Sequence, residues 1–321
     1  MDAVRPSFAA LLRARERLRA LSLCAPLVPL NGSAADSGVN LKLENLQPVG
    51  SFKLRPVGNA VLSRTPATLA AGLFTCSSGN SGVALAWMAR RLGLAATVVV
   101  PAENTPAAKL ELLQALGARV VKEAFPIWWR SVESMSHPAV AGVYVDAVRD
   151  PEALAGNGTA GLEILEQMPE VEAIFVPLGG GSLACGIASA VRELKPAVKV
   201  IACELESAQP FSAARRAGKV VSTPSQPGFV SGVGFDSMLP QMWPLASTLI
   251  DGALTVSLAQ VAAAIKLLAE RNKVIAEGAG AIPVAAAIAG RHPYQRVCAV
   301  VSGGNLGNDI LSTILAGGIP G

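Results

Sequence analysis

The chain has 321 residues, of which 51% are apolar and 16% charged, and its net charge is +4. This length and apolar content allow a large buried core, which excludes a disordered protein. The basic residues are scattered, and no apolar run approaches the roughly 20 residues of a membrane helix, so the composition argues against nucleic-acid binding and against a membrane protein.

The first 20 residues predict an amphipathic helix packed on the core rather than a removable leader, because Glu16 interrupts a run of four arginines. The five cysteines are widely spaced without a CxxC pair, and the only histidines are His137 and His292, each before a proline. This set argues against a zinc site and against Ser-His-Asp catalysis. It predicts a reducing, cytoplasmic location with both histidines on the surface.

From about residue 70, apolar β-rich runs alternate with Ala/Leu-rich helical segments. In chain order, the predicted strands are 73–76, 96–101, 119–122, 143–145, 173–177, 199–203 and 296–301, and the predicted helices are 81–92, 106–116, 159–167, 183–194, 208–218 and 257–271. This alternation predicts parallel sheets covered by helices on both faces, with ligands at the carboxyl ends of the strands. The Ser/Pro/Gly-rich segment 220–244 predicts a long ordered loop.

The most distinctive segment, 41–55, reads LKLENLQPVGSFKLR. Here the chain resembles the serine/threonine dehydratase and serine racemase family of pyridoxal-phosphate enzymes (fold type II), whose Lys-x-Glu-x-x-Gln-x-x-x-Ser-Phe-Lys-x-Arg pattern is matched at every fixed position. The resemblance implies that Lys53 forms the Schiff base with pyridoxal 5'-phosphate and that Phe52 lies beside the cofactor. A lysine amine attacks a carbonyl only when it is uncharged, and desolvation favours that state.

A second motif, Ser77-Ser78-Gly79-Asn80-Ser81, stands between a predicted strand and a predicted helix. The N–H groups of such a turn suit the carboxylate of an amino acid, although an ordinary glycine-rich turn is the alternative for this motif alone. The resemblance implies that this loop binds the substrate carboxylate and that Asn80 contacts the phenolic oxygen of the cofactor. It also implies that Ser78 can exchange a proton on the cofactor face opposite Lys53.

Two further motifs follow predicted strands. Gly179-Gly180-Gly181-Ser182-Leu183 can fold into a cup of N–H donors that suits a phosphate, and the resemblance implies that it binds the cofactor phosphate. In Ser302-Gly303-Gly304-Asn305, the resemblance places the hydroxyl of Ser302 against the pyridine nitrogen. A neutral hydroxyl makes the cofactor a weaker electron sink than a carboxylate would, which favours rapid β-elimination.

Three positions depart from the family pattern. Pro56 stands where these dehydratases usually have glycine, and Ser81 stands where they commonly have histidine, as in the loop of the β-replacement synthases. Glu204 matches the acid that binds a divalent cation in the racemase branch, but the expected second acid is replaced near Pro210. A hard cation requires several oxygen ligands, so a complete metal site is not expected, and a structural carboxylate is the alternative.

The resemblance implies an α/β fold of two doubly wound domains with the cofactor in the cleft between them. Residues 48–146 are expected to form the small domain, and residues 1–47 with 147–321 the large one. The implied reaction is dehydration of a β-hydroxy-α-amino acid to an α-keto acid and ammonia, by a homodimer. Three alternatives stay open: a racemase using Lys53 and Ser78, a β-replacement synthase, and a cofactor-binding protein without turnover.

The segment 125–130 reads FPIWWR and replaces a usually polar helix start near the opening of the active site. Adjacent helical residues diverge by about 100°, so Trp128 and Trp129 cannot both point into one pocket. Packing of either ring in the core of the small domain is one interpretation. If one ring faces the cleft, the substrate is expected to be a β-aryl serine such as phenylserine, and Arg130 could pair with its carboxylate.

Overall fold

The computed structural model describes residues 3–32, 38–103, 105 and 107–321. Its strands, in chain order, are β1 (Leu27–Pro29), β2 (Val39–Leu43), β3 (Leu73–Cys76), β4 (Ala96–Pro101), β5 (Arg119–Glu123), β6 (Val143–Tyr144), β7 (Ala173–Pro177), β8 (Lys199–Leu205), β9 (Gly252–Val256) and β10 (Val297–Val301).

The helices are α1 (Phe8–Leu18), α2 (Leu54–Leu62), α3 (Pro66–Leu69), α4 (Asn80–Leu92), α5 (Ala107–Ala115), α6 (Phe125–Ser134), α7 (Pro151–Gln167), α8 (Ser182–Leu194), α9 (Pro210–Ala217), α10 (Trp243–Leu249), α11 (Leu258–Leu267), α12 (Gly278–Ile288) and α13 (Asn308–Leu315). A 3₁₀ turn at Glu44–Leu46 follows β2, and a π-helical turn at Leu268–Asn272 extends α11.

The strands form two sheets. The smaller has four strands in the order β5-β4-β3-β6, all parallel, and the larger has six in the order β1-β2-β10-β7-β8-β9, parallel except for β1. The predicted α/β fold is therefore confirmed, although the sequence did not indicate the antiparallel edge strand. All strands of the smaller sheet lie within 48–146, but the domain boundaries themselves stay a prediction.

The larger sheet is buried on both faces. In β7, Phe175 packs in a cluster on one face, and Ile174 and Val176 pack in a second cluster on the other. Because neighbouring side chains of a strand point to opposite faces, such a strand needs an uninterrupted apolar run, and AIFVP supplies it. The Gly-rich motifs at Gly179 and Ser302 follow β7 and β10 directly, so both lie at the carboxyl edge of this sheet, as predicted.

Helix α7 is longer than predicted. Glycines have a low helix propensity, so the sequence did not indicate a helix in the first half of this segment. The sequence predicts a helix over 159–167, whereas α7 begins at Pro151, where the carboxylate of Asp150 accepts the N–H of Glu152 at 2.8 Å. A Cβ at Gly156 would collide with the carbonyl of Arg55, and one at Gly161 would lie 2.9 Å from the carbonyl of Ile187. The glycines permit close packing of α7 on α2 and α8, which outweighs their low helix propensity.

Other predictions from the sequence were wrong in detail. His137 is buried rather than on the surface, with Nε2 3.3 Å from a carboxylate oxygen of Glu123. The N-terminal helix spans only Phe8–Leu18, capped by Ser7, and residues 1 and 2 lie outside the described residues. The edge strand β9 was missed, because only Val256 in it is fully buried and its pattern is weak. Residue 106 of the helix predicted over 106–116 also lies outside the described residues.

The helix predicted over 257–271 ends as an α-helix at Leu267 and continues as the π-helical turn. None of the helices in the described part of the chain is both long enough and apolar enough to cross a membrane.

Candidate active site

Lys53 lies where the 41–55 motif reaches the end of β10. Ser51 forms an isolated bridge with Gly303, and the N–H of Phe52 donates to the carbonyl of Ser302 at 2.9 Å. Lys53 then caps the N-terminus of α2. These backbone contacts bring the 41–55 motif and the Ser302 motif together, so that Lys53 directly follows the residue bonded to Ser302.

The amine of Lys53 is chemically unusual. Its Nζ lies 4.7 Å from the centre of the Phe52 ring, and desolvation lowers its pKa to about 8, against the opposing fields of Asp146 and Glu277. A pKa near 8 leaves about a tenth of the amine uncharged at pH 7, whereas an ordinary lysine has far less than a hundredth. The residue is therefore prepared to act as a nucleophile towards a carbonyl.

The remaining polar residues of the same motif hold the segment in place. The guanidinium of Arg55 is buried and makes bidentate hydrogen bonds at 2.8 Å with both Glu44 and Glu163. Lys42 reaches Glu163 at 2.6 Å, and Gln47 donates to Glu44 at 3.3 Å. Burial opposes ionisation of Glu163, but Arg55 and Lys42 together hold its pKa below the usual range.

Pro56 fits the first turn of helix α2, which begins at Leu54. The proline is the third residue of the helix, where a backbone N–H would have no intrahelical acceptor, so its missing N–H costs no hydrogen bond. The departure from the family pattern at this position therefore leaves the helix start after Lys53 regular.

The Ser77–Ser81 segment follows β3 and leads into α4. The N–H of Ser77 donates to Val99 at 3.0 Å, and its hydroxyl accepts the N–H of Gly79 at 3.2 Å, which shapes the turn. Residues Ser77 to Ser81, including Ser78, are partly exposed. The Asn80 side chain donates to Oε1 of Glu277 at 2.7 Å and accepts from Asn305 at 2.8 Å.

Glu277 is a site residue that the sequence analysis missed. It immediately precedes α12, its N–H donates to Gly303 at 2.9 Å, and burial raises its pKa to about 7, against the opposing effects of Lys109, Asn80 and Lys53. It lies in none of the four motifs. The only signal in the sequence is an acid directly before the Gly-Ala-Gly start of an apolar helix.

The loop Gly179–Leu183 fits an anionic group. Within the described residues, none of its backbone N–H groups donates to another main-chain carbonyl, and Gly181 has a φ of 86°, which favours glycine. Asn157 donates to the hydroxyl of Ser182 at 2.7 Å, which leaves the hydroxyl proton available. Five unused N–H groups and a hydroxyl at the start of α8 suit the phosphate of a cofactor.

The loop also approaches the Lys53 region. Phe52 packs against the cluster that contains Leu178 and Leu183. A Cβ at Gly180 would lie 2.9 Å from Val148, whose N–H donates at 2.8 Å to Asp146, the carboxylate that acts on Lys53. Lys53 would hold the aldehyde of the cofactor and this loop would hold its phosphate, on segments that Phe52, Val148 and Asp146 link to each other.

The other predicted site residues lie differently. The Trp128 ring packs partly buried on the smaller sheet, and its Nε1 donates to the carbonyl of Val99 at 3.0 Å. Trp129 is partly exposed and stacks on Phe125 with ring centres 6.3 Å apart. Arg130 is exposed. Thus Trp128 packs on the smaller sheet, and Trp129 is only partly covered.

Glu204 acts as a helix cap. Its two carboxylate oxygens accept the N–H groups of Phe211 at 2.8 Å and Ser212 at 3.0 Å, at the start of α9, and one oxygen also accepts the hydroxyl of Ser212. Within the described residues, no group of three or more His, Cys, Asp and Glu side chains is arranged to hold a metal ion.

Comparisons with known proteins agree with this architecture. The profile of the family described as "Pyridoxal-phosphate dependent enzyme" matches residues 22–303. The chain is 35% identical over 290 residues to the L-threonine ammonia-lyase of Geobacter sulfurreducens, covering 88% of this chain and 70% of that protein. It is 32% identical over 320 residues to the serine racemase of Arabidopsis thaliana, covering 95% and 96%. The structure of maize serine racemase matches with a TM-score of 0.86 at 27% identity, covering 98% of both chains.

Two β-sheets flanked by helices, a buried lysine of lowered pKa and two strand-to-helix turns that suit anions fit a fold type II pyridoxal-phosphate enzyme. The chain belongs to the pyridoxal-phosphate-dependent enzyme family, and its relatives there include threonine ammonia-lyases and serine racemases. Its cofactor is pyridoxal phosphate and its enzyme class is lyase. The resemblance identified from the four motifs is thus confirmed.

Proposed function

We propose that this protein removes water from a β-hydroxy-α-amino acid and releases the α-keto acid and ammonia. The observation that carries the proposal is the buried Lys53 amine, whose pKa is lowered to about 8, on a segment whose Phe52 N–H donates to the carbonyl of Ser302. Pyridoxal phosphate, when bound, supplies the electron sink that acidifies the Cα proton of an amino acid. The amine of Lys53 is basic enough to take that proton and close enough to neutrality to be free to do so.

The proposed roles of the other residues follow from their surroundings. The N–H groups and hydroxyl at Gly179–Leu183 would hold the cofactor phosphate, and the hydroxyl of the buried Ser302 would face the pyridine nitrogen. The Ser77–Ser81 turn would receive the substrate carboxylate at the N-terminus of α4. Because Ser302 carries no charge, it would not stabilise a long-lived carbanion, which favours prompt loss of the β-hydroxyl.

The first experiment is an assay of keto-acid formation from L-serine, L-threonine and threo-phenylserine with purified holoenzyme. Release of keto acid and ammonia in equal amounts from at least one of them is expected. Turnover that produces only the opposite enantiomer, or only a β-substituted product when a thiol is supplied, would replace the dehydratase by a racemase or a β-replacement synthase.

Racemisation is the second candidate, and the observation that favours it is Ser78. This hydroxyl lies in the partly exposed turn beside Asn80 and could exchange a proton on the cofactor face opposite Lys53. A Ser78→Ala variant should lose formation of the opposite enantiomer while it keeps keto-acid formation. Ser81 is what suggests a β-replacement synthase, but no contact of its side chain adds to that proposal. A cofactor-binding protein without turnover is the least favoured reading.

The proposed substrate is a β-aryl serine such as phenylserine, because an aromatic cluster of Phe125, Trp128 and Trp129 lies at the carboxyl edge of the smaller sheet. Val99 links this cluster to the Ser77–Ser81 turn. Its carbonyl accepts the backbone N–H of Ser77 and the indole N–H of Trp128, each at 3.0 Å. The partly exposed Trp129 ring and the exposed Phe125 ring could cover an aryl substituent, and Arg130 on the same helix could pair with the substrate carboxylate on closure.

Replacement of Trp129 by alanine tests this proposal. The kcat/KM for threo-phenylserine should fall by tenfold or more relative to that for L-threonine, which corresponds to about 1.4 kcal/mol in the barrier. Trp243→Ala is the matched control, because Trp243 packs on Phe211 beside the larger sheet and does not belong to the aromatic cluster. A wild-type preference for serine or threonine of tenfold or more would end the aryl proposal and leave the dehydratase intact.

We further propose a homodimer in a reducing cytoplasmic setting, without nucleic-acid, membrane or cation partners. All five cysteines are free and four are buried in the core, which suits a reducing compartment. One chain has a mass of 32.8 kDa. If the protein is a dimer, light scattering of the purified protein at several concentrations should give twice this mass.

A further inference from the structure

Glu277 is a buried carboxylate that none of the four motifs contains, and it lies at the centre of the site. Only 6% of its surface is exposed. Its backbone is fixed by the hydrogen bond from its N–H to Gly303, and its carboxylate reaches Asn80. A Cβ at Gly303 would collide with Oε1 of Glu277 and would lie 3.3 Å from the amide nitrogen of Asn80. The contact between Glu277 and Asn80 therefore lies directly over Gly303, next to Ser302.

A chain of three hydrogen bonds leads to this carboxylate. The amide nitrogen of Asn305 donates to the carbonyl of Val49 at 3.0 Å and to Oδ1 of Asn80 at 2.8 Å. The amide nitrogen of Asn80 then donates to Oε1 of Glu277 at 2.7 Å. Since a backbone carbonyl and an ionised carboxylate only accept, the two ends determine which end of each amide is the nitrogen.

This polarity leaves one N–H of Asn80 unassigned. The amide nitrogen carries two hydrogens, and Glu277 takes one of them. If the Asn80 amide were turned over, its oxygen would face the oxygen of an ionised Glu277, and the amide nitrogen of Asn305 would face the amide nitrogen of Asn80. Both contacts would be repulsive, so Glu277 and Asn305 together hold the amide in one orientation.

We infer that Glu277 is a positioning residue that fixes the Asn80 amide, so that its second N–H is directed at the phenolic oxygen of bound pyridoxal phosphate. The inference rests on the proposed placement of the cofactor between Lys53 and Gly179–Leu183. It assigns Glu277 a second effect as well: its negative charge favours the protonated form of the Lys53 nitrogen.

The charged groups that act on Glu277 come from separate elements. Lys53 stands at the start of α2 and Lys109 lies on α5, and both favour the ionised carboxylate. Asp146, after β6, acts on Lys53 in the same direction as Glu277 but is itself paired with Arg149. Loss of the Glu277 charge would therefore leave Lys53 with only the partly compensated field of Asp146.

A double-mutant cycle tests the positioning role. The dissociation constant of pyridoxal phosphate for the apoprotein is measured for wild type, Glu277→Gln, Asn80→Ala and the double variant. Glu277→Gln should weaken binding by about five- to twentyfold in the wild-type background, because the amide oxygen of glutamine still accepts from Asn80 and only the difference between a charged and a neutral hydrogen bond is lost. In the Asn80→Ala background, measured well above the pKa of Lys53 so that the effect of Glu277 on the amine is absent, the same change should alter binding by less than about twofold, because the positioning effect passes through Asn80.

The second measurement separates positioning from general support of the fold. The rate at which the apoprotein captures pyridoxal phosphate is followed against pH, and its midpoint reports the Lys53 amine. Glu277→Gln should shift the midpoint to lower pH, whereas Glu277→Asp keeps the charge with a side chain too short for the hydrogen bond and should leave the midpoint near the wild-type value. Glu193→Gln on the surface of α8 is the control and should change neither quantity.

Additive effects of Glu277→Gln and Asn80→Ala on the dissociation constant, or an unmoved pH midpoint in Glu277→Gln, would overturn the inference. Should Glu277→Gln fail to fold, Asn305→Ala provides the same cycle with Asn80→Ala from the other end of the chain of hydrogen bonds. Both measurements use cofactor binding rather than turnover. They therefore stand even if no hydroxy amino acid proves to be a substrate.

Discussion

Two buried clusters of charge are centred on Lys53 and Arg55, which are two positions apart in the sequence, and they behave in opposite ways. The Arg55 cluster comprises Lys42, Glu44, Arg55 and Glu163, and each charge in it makes short, direct hydrogen bonds to an opposite charge. The Lys53 cluster comprises Lys53, Asp146 and Glu277, and its two carboxylates act on the amine through their fields alone.

The comparison shows that geometry decides what burial does to a charge. In the Arg55 cluster, the two carboxylates outweigh desolvation and raise the pKa of Arg55, so the ion pairs stay locked. In the Lys53 cluster, desolvation prevails and brings the pKa values of Lys53 and Glu277 to about 8 and about 7. Incomplete pairing thus converts buried charges into groups that titrate near neutrality, where acid–base chemistry needs them.

The largest expected effect is that of Lys53→Ala. Keto-acid formation should fall by more than about 10³-fold, because the variant loses both the nucleophile and the base. The midpoint of urea unfolding should stay within the error of the wild-type value or rise, since a desolvated amine is removed. Activity is followed by ammonia release and stability by circular dichroism. A Lys53→Ala protein that keeps a tenth of the activity would remove Lys53 from the mechanism.

Arg55→Met should lower the stability of the fold, whereas Lys53→Ala should lower the activity. Loss of Arg55 leaves Glu44 buried without a cationic partner and Glu163 with Lys42 alone, so the free energy of unfolding should fall by about 3–5 kcal/mol. Arg15→Met is the matched control, because the ion pair of Arg15 with Glu166 is exposed, and a change of at most about 1 kcal/mol is expected there. Equal losses in the two variants, measured by urea denaturation, would contradict the distinction between locked and exposed pairs.

The pH dependence of cofactor capture should reveal the lowered pKa of Lys53 directly. Only the free amine reacts, so the rate should rise about tenfold per pH unit below the pKa and level off above about 8. An ordinary lysine would continue to rise to about pH 10.5. Stopped-flow absorbance with apoprotein provides the rates, and N-α-acetyllysine serves as the reference amine. A protein rate that still climbs between pH 9 and 10 would refute a pKa near 8.

The smallest effect is expected at Glu204, a buried carboxylate outside both clusters, which accepts the first N–H groups of α9. Addition of EDTA or of magnesium should leave both the melting temperature and the activity unchanged. Glu204→Gln should lower the free energy of unfolding by about 1–2 kcal/mol through loss of the cap on α9. If EDTA lowers the melting temperature and magnesium restores it, Glu204 is a metal ligand after all.

The sequence by itself determined the class of fold, the order of its main elements and the four segments that make up the candidate site. This was possible because these features depend on local patterns: apolar runs for buried strands, glycines for the turns, and the continuous motif around Lys53. The same local reasoning failed where packing overrode propensity, as in the glycine-containing first half of α7 and the buried His137.

Only the tertiary structure decided which charges in that motif are structural and which are chemical. Lys42 and Lys53 are both lysines in low-charge surroundings, but Glu163, from a helix over a hundred residues away, neutralises the first and not the second. Glu277 joins Asn80 across 197 positions of sequence. The interaction energy between buried charges depends on distances of a few ångströms between segments that are far apart in the sequence, and no local pattern encodes such distances.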